Sequence, residues 1–162
     1  MSIIWREPIF DRTLDDVRYA IAQLTSRKQS ISDGSSVATD DLKGCLNLSD
    51  LNRIEGNIEY LSTILTNYGY EVENDSKQWT REDLPTTEDL ERIADNIKAL
   101  VDCFSGYDSF VTIPHNIISH EDINNLEYNL HLLKQLLDGM EASFLSSGTQ
   151  TSGSTAQLPL RR

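Results

Sequence analysis

The sequence predicts a mainly α-helical protein, built as a four-helix bundle or as two packed helix pairs from a diverged helix-plus-loop repeat. Two observations favour this fold class. Four segments open with a helix-capping residue followed three positions later by an aspartate, and each aspartate is followed by apolar residues at helical spacing. The chain of 162 residues is also long enough to bury the core of one compact domain.

The four predicted helix starts have the form of capping boxes. The cap side chain accepts a hydrogen bond from an amide of the first turn, and the aspartate accepts one from the N–H of the cap residue. The pairs are Thr13 with Asp16, Asn47 with Asp50, Thr86 with Asp89, and Ser119 with Asp122. From these starts and their apolar stripes, we predict helices near 13–25, 47–68, 86–104 and 119–145.

The later segments share more than apolar spacing. DLNRIEGNIEYL (50–61) aligns with DLERIADNIKAL (89–100) without a gap, and the fourth segment keeps the Asp and one Asn. The shared amides, Asn57, Asn96 and Asn129, fall on or beside the buried stripe. A buried amide must be hydrogen-bonded. We therefore predict that all three are buried and bond to backbone groups of the following loop or of a neighbouring helix.

Arg53 and Arg92 occupy another equivalent position of this repeat. We expect them to tie a helix to a loop through carbonyl groups or acidic side chains. Gly56 is unusual because glycine disfavours a helix interior. It is interpreted as allowing close approach of another backbone or of an aromatic ring such as Trp79.

The connections between the predicted helices contain two tryptophans in similar polar contexts, WREPIFDRT and WTREDLPTT. Trp5 and Trp79 are expected to cap the core, and the alternative is that they anchor a partner. Residues 28–38, rich in Ser, Asp and Gly, are expected to form a loop. Residues 107–118 are expected to form a short strand or an extended connector.

The composition divides the chain into a helical repeat domain, 1–145, and an extended Ser/Gly/Thr-rich C-terminal arm, 146–162. The arm has little apolar content before its final LPLRR stretch, so it cannot form a core of its own. Leu158, Leu160, Arg161 and Arg162 are therefore candidate partner-binding residues, together with the two tryptophans.

The sequence contains no recognisable pattern for chemistry. Walker, GxGxxG, GxSxG, HExxH and EF-hand patterns are absent, and His120 and His131 lie too far apart along a helix to chelate one metal. Cys45 and Cys103 belong to no metal-binding or redox motif and are interpreted as small buried hydrophobic residues. We predict no enzyme activity and no catalytic, cofactor-binding or metal-binding residues.

The net charge of −12 argues against direct binding to nucleic acid or to an anionic membrane. No apolar run is long enough to span a bilayer, and the opening residues lack a secretory-signal pattern, so synthesis in a cytoplasm is expected. Many acidic residues fall at predicted helix starts, where they complement the helix dipole. A small acidic inhibitor that mimics DNA remains one alternative function.

Two stretches, WREPIFDRTLDDV (5–17) and KGCLNLSDLNRIEGNIEYL (43–61), resemble a helical module of structural proteins from phages and prophages of Gram-positive, clostridial-type bacteria. Trp79, LPTTEDLERI (84–93) and the DINNLEYNL stretch are similar to its downstream part, so the resemblance covers 1–145. It implies a virion component of a tail, baseplate or fibre, with no catalytic residues.

The expected function is therefore that of a phage assembly protein or adaptor, localised in the virion and assembled in the host cytoplasm. Its expected partners are other virion proteins and copies of itself. Within this class, a capsid decoration or head-fibre protein is the alternative to a tail or baseplate protein.

Overall fold

The computed structural model describes residues 4–38 and 40–148, and the side chains as far as Leu145. It contains four helices: α1 (Leu14–Ser32), α2 (Leu48–Asn67), α3 (Thr87–Asp102) and α4 (His120–Gly148). No β-strand occurs among the described residues. The predicted mainly α fold class and the predicted number of helices are confirmed.

All four helices begin where the capping boxes predict. Thr13 and Thr86 each accept a hydrogen bond from the N–H of the aspartate three residues on, and that aspartate accepts one from the cap N–H. Ser119 and Asp122 pair in the same way. At α2 the Asp50 carboxylate accepts from the Asn47 N–H, while the Asn47 amide also bonds to backbone groups of the preceding loop.

Helices α2, α3 and α4 pack against one another and form the core. Their equivalent positions, counted from the capping aspartates, meet in layers that water does not reach. Residues four, eight and eleven positions after the aspartate are at most 1 % exposed: Ile54, Ile58 and Leu61 in α2, Ile93, Ile97 and Leu100 in α3, and Leu126, Leu130 and Leu133 in α4. The repeat seen in the sequence is therefore a repeat of one packing unit.

Helix α1 lies outside this core. Ala20 is its one buried residue, and the apolar side chains of Leu14, Ile21 and Leu24 are exposed. The helix is held at its first turn by Gly44, where a Cβ atom would lie 2.1 Å from the Asp16 carbonyl oxygen. The shorter apolar stripe of this segment explains why it does not join the three-helix core.

Two predicted boundaries are wrong. Helix α1 continues to Ser32, so the first part of the loop predicted over 28–38 is helical. Its Ser, Arg, Lys and Gln residues are compatible with an exposed helix once a strong cap has started it. Helix α4 continues to Gly148, three residues into the predicted arm. The rest of that arm lies outside the described residues.

The connections that precede α1, α3 and α4 run along the bundle as extended chain. We refer to them as the first (4–12), second (70–79) and third (110–118) extended segments. The third contains most of the residues, 107–118, for which a short strand or a connector was predicted, and these residues form a connector.

Candidate functional site

Five asparagine side chains hold the extended segments against the core helices. In each, Oδ1 accepts a hydrogen bond from a backbone N–H and Nδ2 donates one to the carbonyl of the same residue. The pairs are Asn57 with Arg6, Asn124 with Arg12, Asn96 with Asp75, Asn52 with Trp79, and Asn129 with Val111. Each amide thus satisfies both polar groups of one backbone residue, as a neighbouring β-strand would.

The three asparagines predicted from the repeat are buried, as expected, with Asn57 and Asn129 fully inaccessible. Their partners are backbone groups, as predicted, but the location of these groups differs from the prediction. They lie in extended segments that precede α1, α3 and α4, and not in a following loop or another helix. The sequence analysis missed Asn52 and Asn124, although both stand two residues after a capping aspartate and could have been found from that register.

The clamps follow a cyclic order around the three core helices. The first extended segment runs from Asn57 of α2 to Asn124 of α4, and the second runs from Asn96 of α3 to Asn52 of α2. The third begins at Asn129 of α4. Each segment is therefore held first by the asparagine that stands seven residues after the capping aspartate of one core helix. The first two segments end at the asparagine that stands two residues after the capping aspartate of another core helix.

Four buried charged side chains connect the first extended segment to α2 and α4. Glu127 accepts hydrogen bonds from Arg12 at 2.9 Å and from Arg53 at 2.7 and 2.9 Å, and Asp50 accepts from both arginines. Glu127 also accepts from the Ile9 N–H at 2.8 Å. Two positive and two negative charges thus balance in a largely buried region, as buried charges require.

The ionisation of Asp50 is favoured in this cluster. Its burial works against the charged form. Hydrogen bonds from the Asn47 backbone and the Arg53 guanidinium, helped by the charge of Arg12, outweigh burial and hold the pKa of Asp50 below its usual value. The carboxylate is therefore used as a structural acceptor and not as a proton carrier.

A second cluster joins the second extended segment to α2 and α3. Glu55 is buried and accepts hydrogen bonds from Arg92 and from the indole N–H of Trp79 at 3.1 Å. Arg92 also donates to the Asp75 carbonyl. Arg92 thus ties a helix to a loop, as expected, through the Asp75 carbonyl. Arg53 also binds acidic side chains, but these belong to α2 and α4, so it joins two helices and not a helix to a loop.

The two clusters are built on one plan. An asparagine of a core helix binds the backbone of Arg12, and another binds the backbone of Trp79. Each of these two side chains donates a hydrogen bond to the glutamate that stands three residues after its asparagine in that helix. Each is followed by a threonine that pairs with an aspartate three residues on, including Thr80 with Asp83. This shared arrangement accounts only in part for the similar sequences WREPIFDRT and WTREDLPTT. In the structure the residue equivalent to Trp79 is Arg12, and not Trp5.

The predicted partner-binding residues have different outcomes. Trp79 is 3 % exposed and belongs to the core, so it cannot anchor a partner at the surface. Trp5 is partly buried and packs at 5.7 Å from the ring of Tyr60. The four candidates in the arm, Leu158, Leu160, Arg161 and Arg162, lie outside the described residues.

Other predictions are also corrected or refined. No atom approaches within 4 Å of a Cβ placed on Gly56, so the glycine that allows close backbone contact is Gly44. Cys45 and Cys103 are free and only half-buried, and burial raises the pKa of both thiols. In the described part of the chain, no three His, Cys, Asp or Glu side chains are grouped as a metal site.

A cavity of about 310 Å³ opens at the end of the bundle where the helices begin. We call it the N-terminal cavity. It is lined by residues from the first turns of α1, α3 and α4, from the third extended segment and from the loop before α2: Val17, Gly44, Cys45, Leu46, Leu90, Ile117, Ile118, Ser119, His120 and Ile123, with Arg12. The predominance of aliphatic side chains suits an apolar ligand group.

Comparison of the chain with protein-family models, with curated proteins and with solved structures gives no match. Among residues 4–38 and 40–148, none of the helices combines the length and apolar character needed to cross a bilayer.

Proposed function

We propose that this protein is a non-catalytic structural component of a phage particle, incorporated through protein–protein contacts as an adaptor associated with a tail, baseplate or fibre. The proposal begins from the resemblance of residues 5–17 and 43–61 to phage structural proteins. In the structure these two stretches meet and hold the framework together.

The contact between the two stretches is the observation that carries the proposal. Arg12 of the first stretch binds Asp50 of the second at 3.0 Å in the buried charge cluster. Lys43 binds Asp11 at 2.9 Å, and the Gly44 backbone lies against the first turn of α1. The residues that carry the resemblance are thus framework residues that hold one folded unit together, which supports reading the two stretches as parts of a single module.

The placement of the acidic residues gives less support to the DNA-mimic alternative. A DNA mimic needs carboxylates arrayed on exposed faces, where they can replace phosphates. Here Glu55 and Glu127 are buried in ion pairs. The capping aspartates bind backbone N–H groups at helix starts. A substantial part of the negative charge therefore stabilises the fold.

The proposal is tested on particles purified from the strain that carries the gene. We expect the protein to co-sediment with particles through a density gradient at a constant ratio to the major structural proteins, and to remain bound after a wash at high salt. Gold-labelled antibody should then mark the tail, baseplate or fibre. Labelling of the head would favour the capsid decoration or head-fibre alternative, and recovery of the protein only in the particle-free fraction would refute the proposal.

A further inference from the structure

We propose that the N-terminal cavity of one molecule binds the C-terminal arm of a second copy, with Leu158 and Leu160 inside the cavity and Arg161 and Arg162 over the acidic helix starts around it. The result is head-to-tail association. This deepens the proposed function and rests on it only in the choice of a copy of this chain as the partner, which assembly proteins commonly bind.

The lining of the cavity fits the apolar part of this segment. Leu46, Leu90 and Ile123 are side chains from three core helices or their starts, and Ile117 and Ile118 come from the third extended segment. A volume of about 310 Å³ has room for two leucine side chains. Leu158 and Leu160 alternate with Gln157 and Pro159 in the sequence, so both can face one side of an extended chain.

One residue that lines the cavity carries a buried donor that lacks an acceptor. Arg12 lines it and is 5 % exposed. The two terminal nitrogens of its guanidinium bind the Ile9 carbonyl, Asp50 and Glu127, but its Nε–H has no acceptor among the described residues. A buried donor without an acceptor is costly. A backbone carbonyl of an extended segment is the neutral acceptor that suits this balanced charge cluster.

The surroundings of the cavity complement two arginines. Glu88 and Glu121 are exposed in the first turns of α3 and α4, two residues before the cavity residues Leu90 and Ile123. Neither forms an ion pair with another described residue, whereas the nearby Asp15 pairs with Arg18. Arg161 and Arg162 follow the two leucines directly in the sequence, so they would reach this acidic rim when the leucines are inserted.

The reach of the chain favours an arm that comes from a second molecule. Ile123, at the cavity, lies 25 residues before Gly148 on α4 (148 minus 123), and this length of helix measures about 38 Å. Leu158 lies ten residues after Gly148 (158 minus 148), and ten fully extended residues span at most about 36 Å. Leu158 would therefore have to run back almost fully extended along α4 to approach the cavity of its own chain, whereas it can enter a cavity placed beyond the end of α4 without being stretched.

The test uses the full chain in sedimentation velocity over a range of concentrations. Ile118→Arg places a cation at the rim of the cavity without disturbing the core, since Ile118 is 86 % exposed. Ile31→Arg, at the far end of α1, is the matched control because Ile31 is also exposed, at 68 %. The arm variant is Leu158→Ser combined with Leu160→Ser. Circular dichroism checks that every variant keeps its helices.

We expect the wild type and Ile31→Arg to form concentration-dependent oligomers. The cavity and arm variants should each associate at least about 100-fold more weakly, since the arm variant loses two buried leucines and the cavity variant places a charge at the apolar rim that they enter. A mixture of the cavity variant with the arm variant should restore dimers and nothing larger, because only one intact arm and one intact cavity remain in each pair.

A monomeric wild type, unchanged association of either variant, or a mixture that stays monomeric would each overturn this inference. Because purified protein is used, such a result leaves the co-sedimentation test of the proposed function unaffected.

Discussion

Replacement of Asn57 by leucine tests whether the asparagine clamps stabilise the fold. The side chain accepts from the Arg6 N–H at 3.0 Å and donates to the Arg6 carbonyl at 2.7 Å, so the change removes two hydrogen bonds. Each is worth about 0.5–1.5 kcal/mol net. Leucine fills a similar volume, and Arg6 is exposed, so water can reach part of its backbone. We therefore expect a loss of about 1–3 kcal/mol in the free energy of unfolding.

The loss is measured by urea denaturation and by thermal unfolding followed by circular dichroism. For a chain of this size, about 1–3 kcal/mol corresponds to a fall in Tm of roughly 2–12 °C. Asn67→Leu is the matched control, since Asn67 is an exposed asparagine at the end of the same helix. An Asn57 variant within about 0.5 kcal/mol of the wild type would show that the clamp contributes nothing to stability.

Double variants extend this test to whole segments. Asn57 and Asn124 hold the two ends of the first extended segment, whereas Asn96 holds the second. Once one end is released, the other clamp holds a segment that is already partly detached. The loss of stability in the double variant of Asn57 and Asn124 should therefore be smaller than the sum of the two single losses. The loss in the double variant of Asn57 and Asn96 should equal the sum of its single losses within about 0.5 kcal/mol. Equal additivity in both pairs would refute the assignment of these segments as units.

Three further predictions follow from the structure. Glu127→Gln should reduce the free energy of unfolding by about 3–5 kcal/mol in urea denaturation, because two buried arginines lose a carboxylate, whereas the exposed Glu141→Gln should change it little. Stability should fall as the pH drops below about 4. The folded state holds the pKa of the four capping aspartates, Asp50 among them, and of Asp83 below the unfolded value of 3.8, so the unfolded chain then binds more protons; denaturation at pH 3 and pH 6 measures this. Gly44→Ala should lower Tm, because its Cβ would lie 2.1 Å from a carbonyl oxygen, whereas Gly56→Ala should stabilise by about 0.5–1 kcal/mol in an open helical position.

The sequence was most informative where a local pattern determines a local structure. A cap residue and an aspartate three positions later are enough to start a helix, and all four starts were predicted from such pairs. The burial of Asn57, Asn96 and Asn129 also followed from helical spacing alone, because a residue between two core positions of a stripe must face the core.

The partners of these side chains could not be predicted in the same way. Arg6 and Asn57 are far apart in the sequence, and no periodicity relates an extended segment to the helix on which it lies. The pairing of Arg53 with Glu127 depends on which helix packs beside α2. The sequence shows both residues as ordinary charged positions of a helix, and only the packing makes them a buried pair.

Comparison of the three helix junctions explains where the cavity opens. Arg53 in α2 and Arg92 in α3 each stand three residues after a capping aspartate. Arg53 pairs with Glu127 of α4 and Arg92 pairs with Glu55 of α2, and each glutamate stands five residues after the capping aspartate of its own helix. At the junction of α4 with α3 the corresponding residues are Asn125 and Ala94, which cannot form an ion pair.

The third extended segment likewise supplies no buried equivalent of Arg12 or Trp79 within the described chain. This junction lacks the large side chain that fills the other two, and Leu90 and Ile123 beside it line the N-terminal cavity. The cavity is therefore a consequence of how the third repeat diverged, and a segment from outside the bundle can occupy the place that the chain itself leaves unfilled.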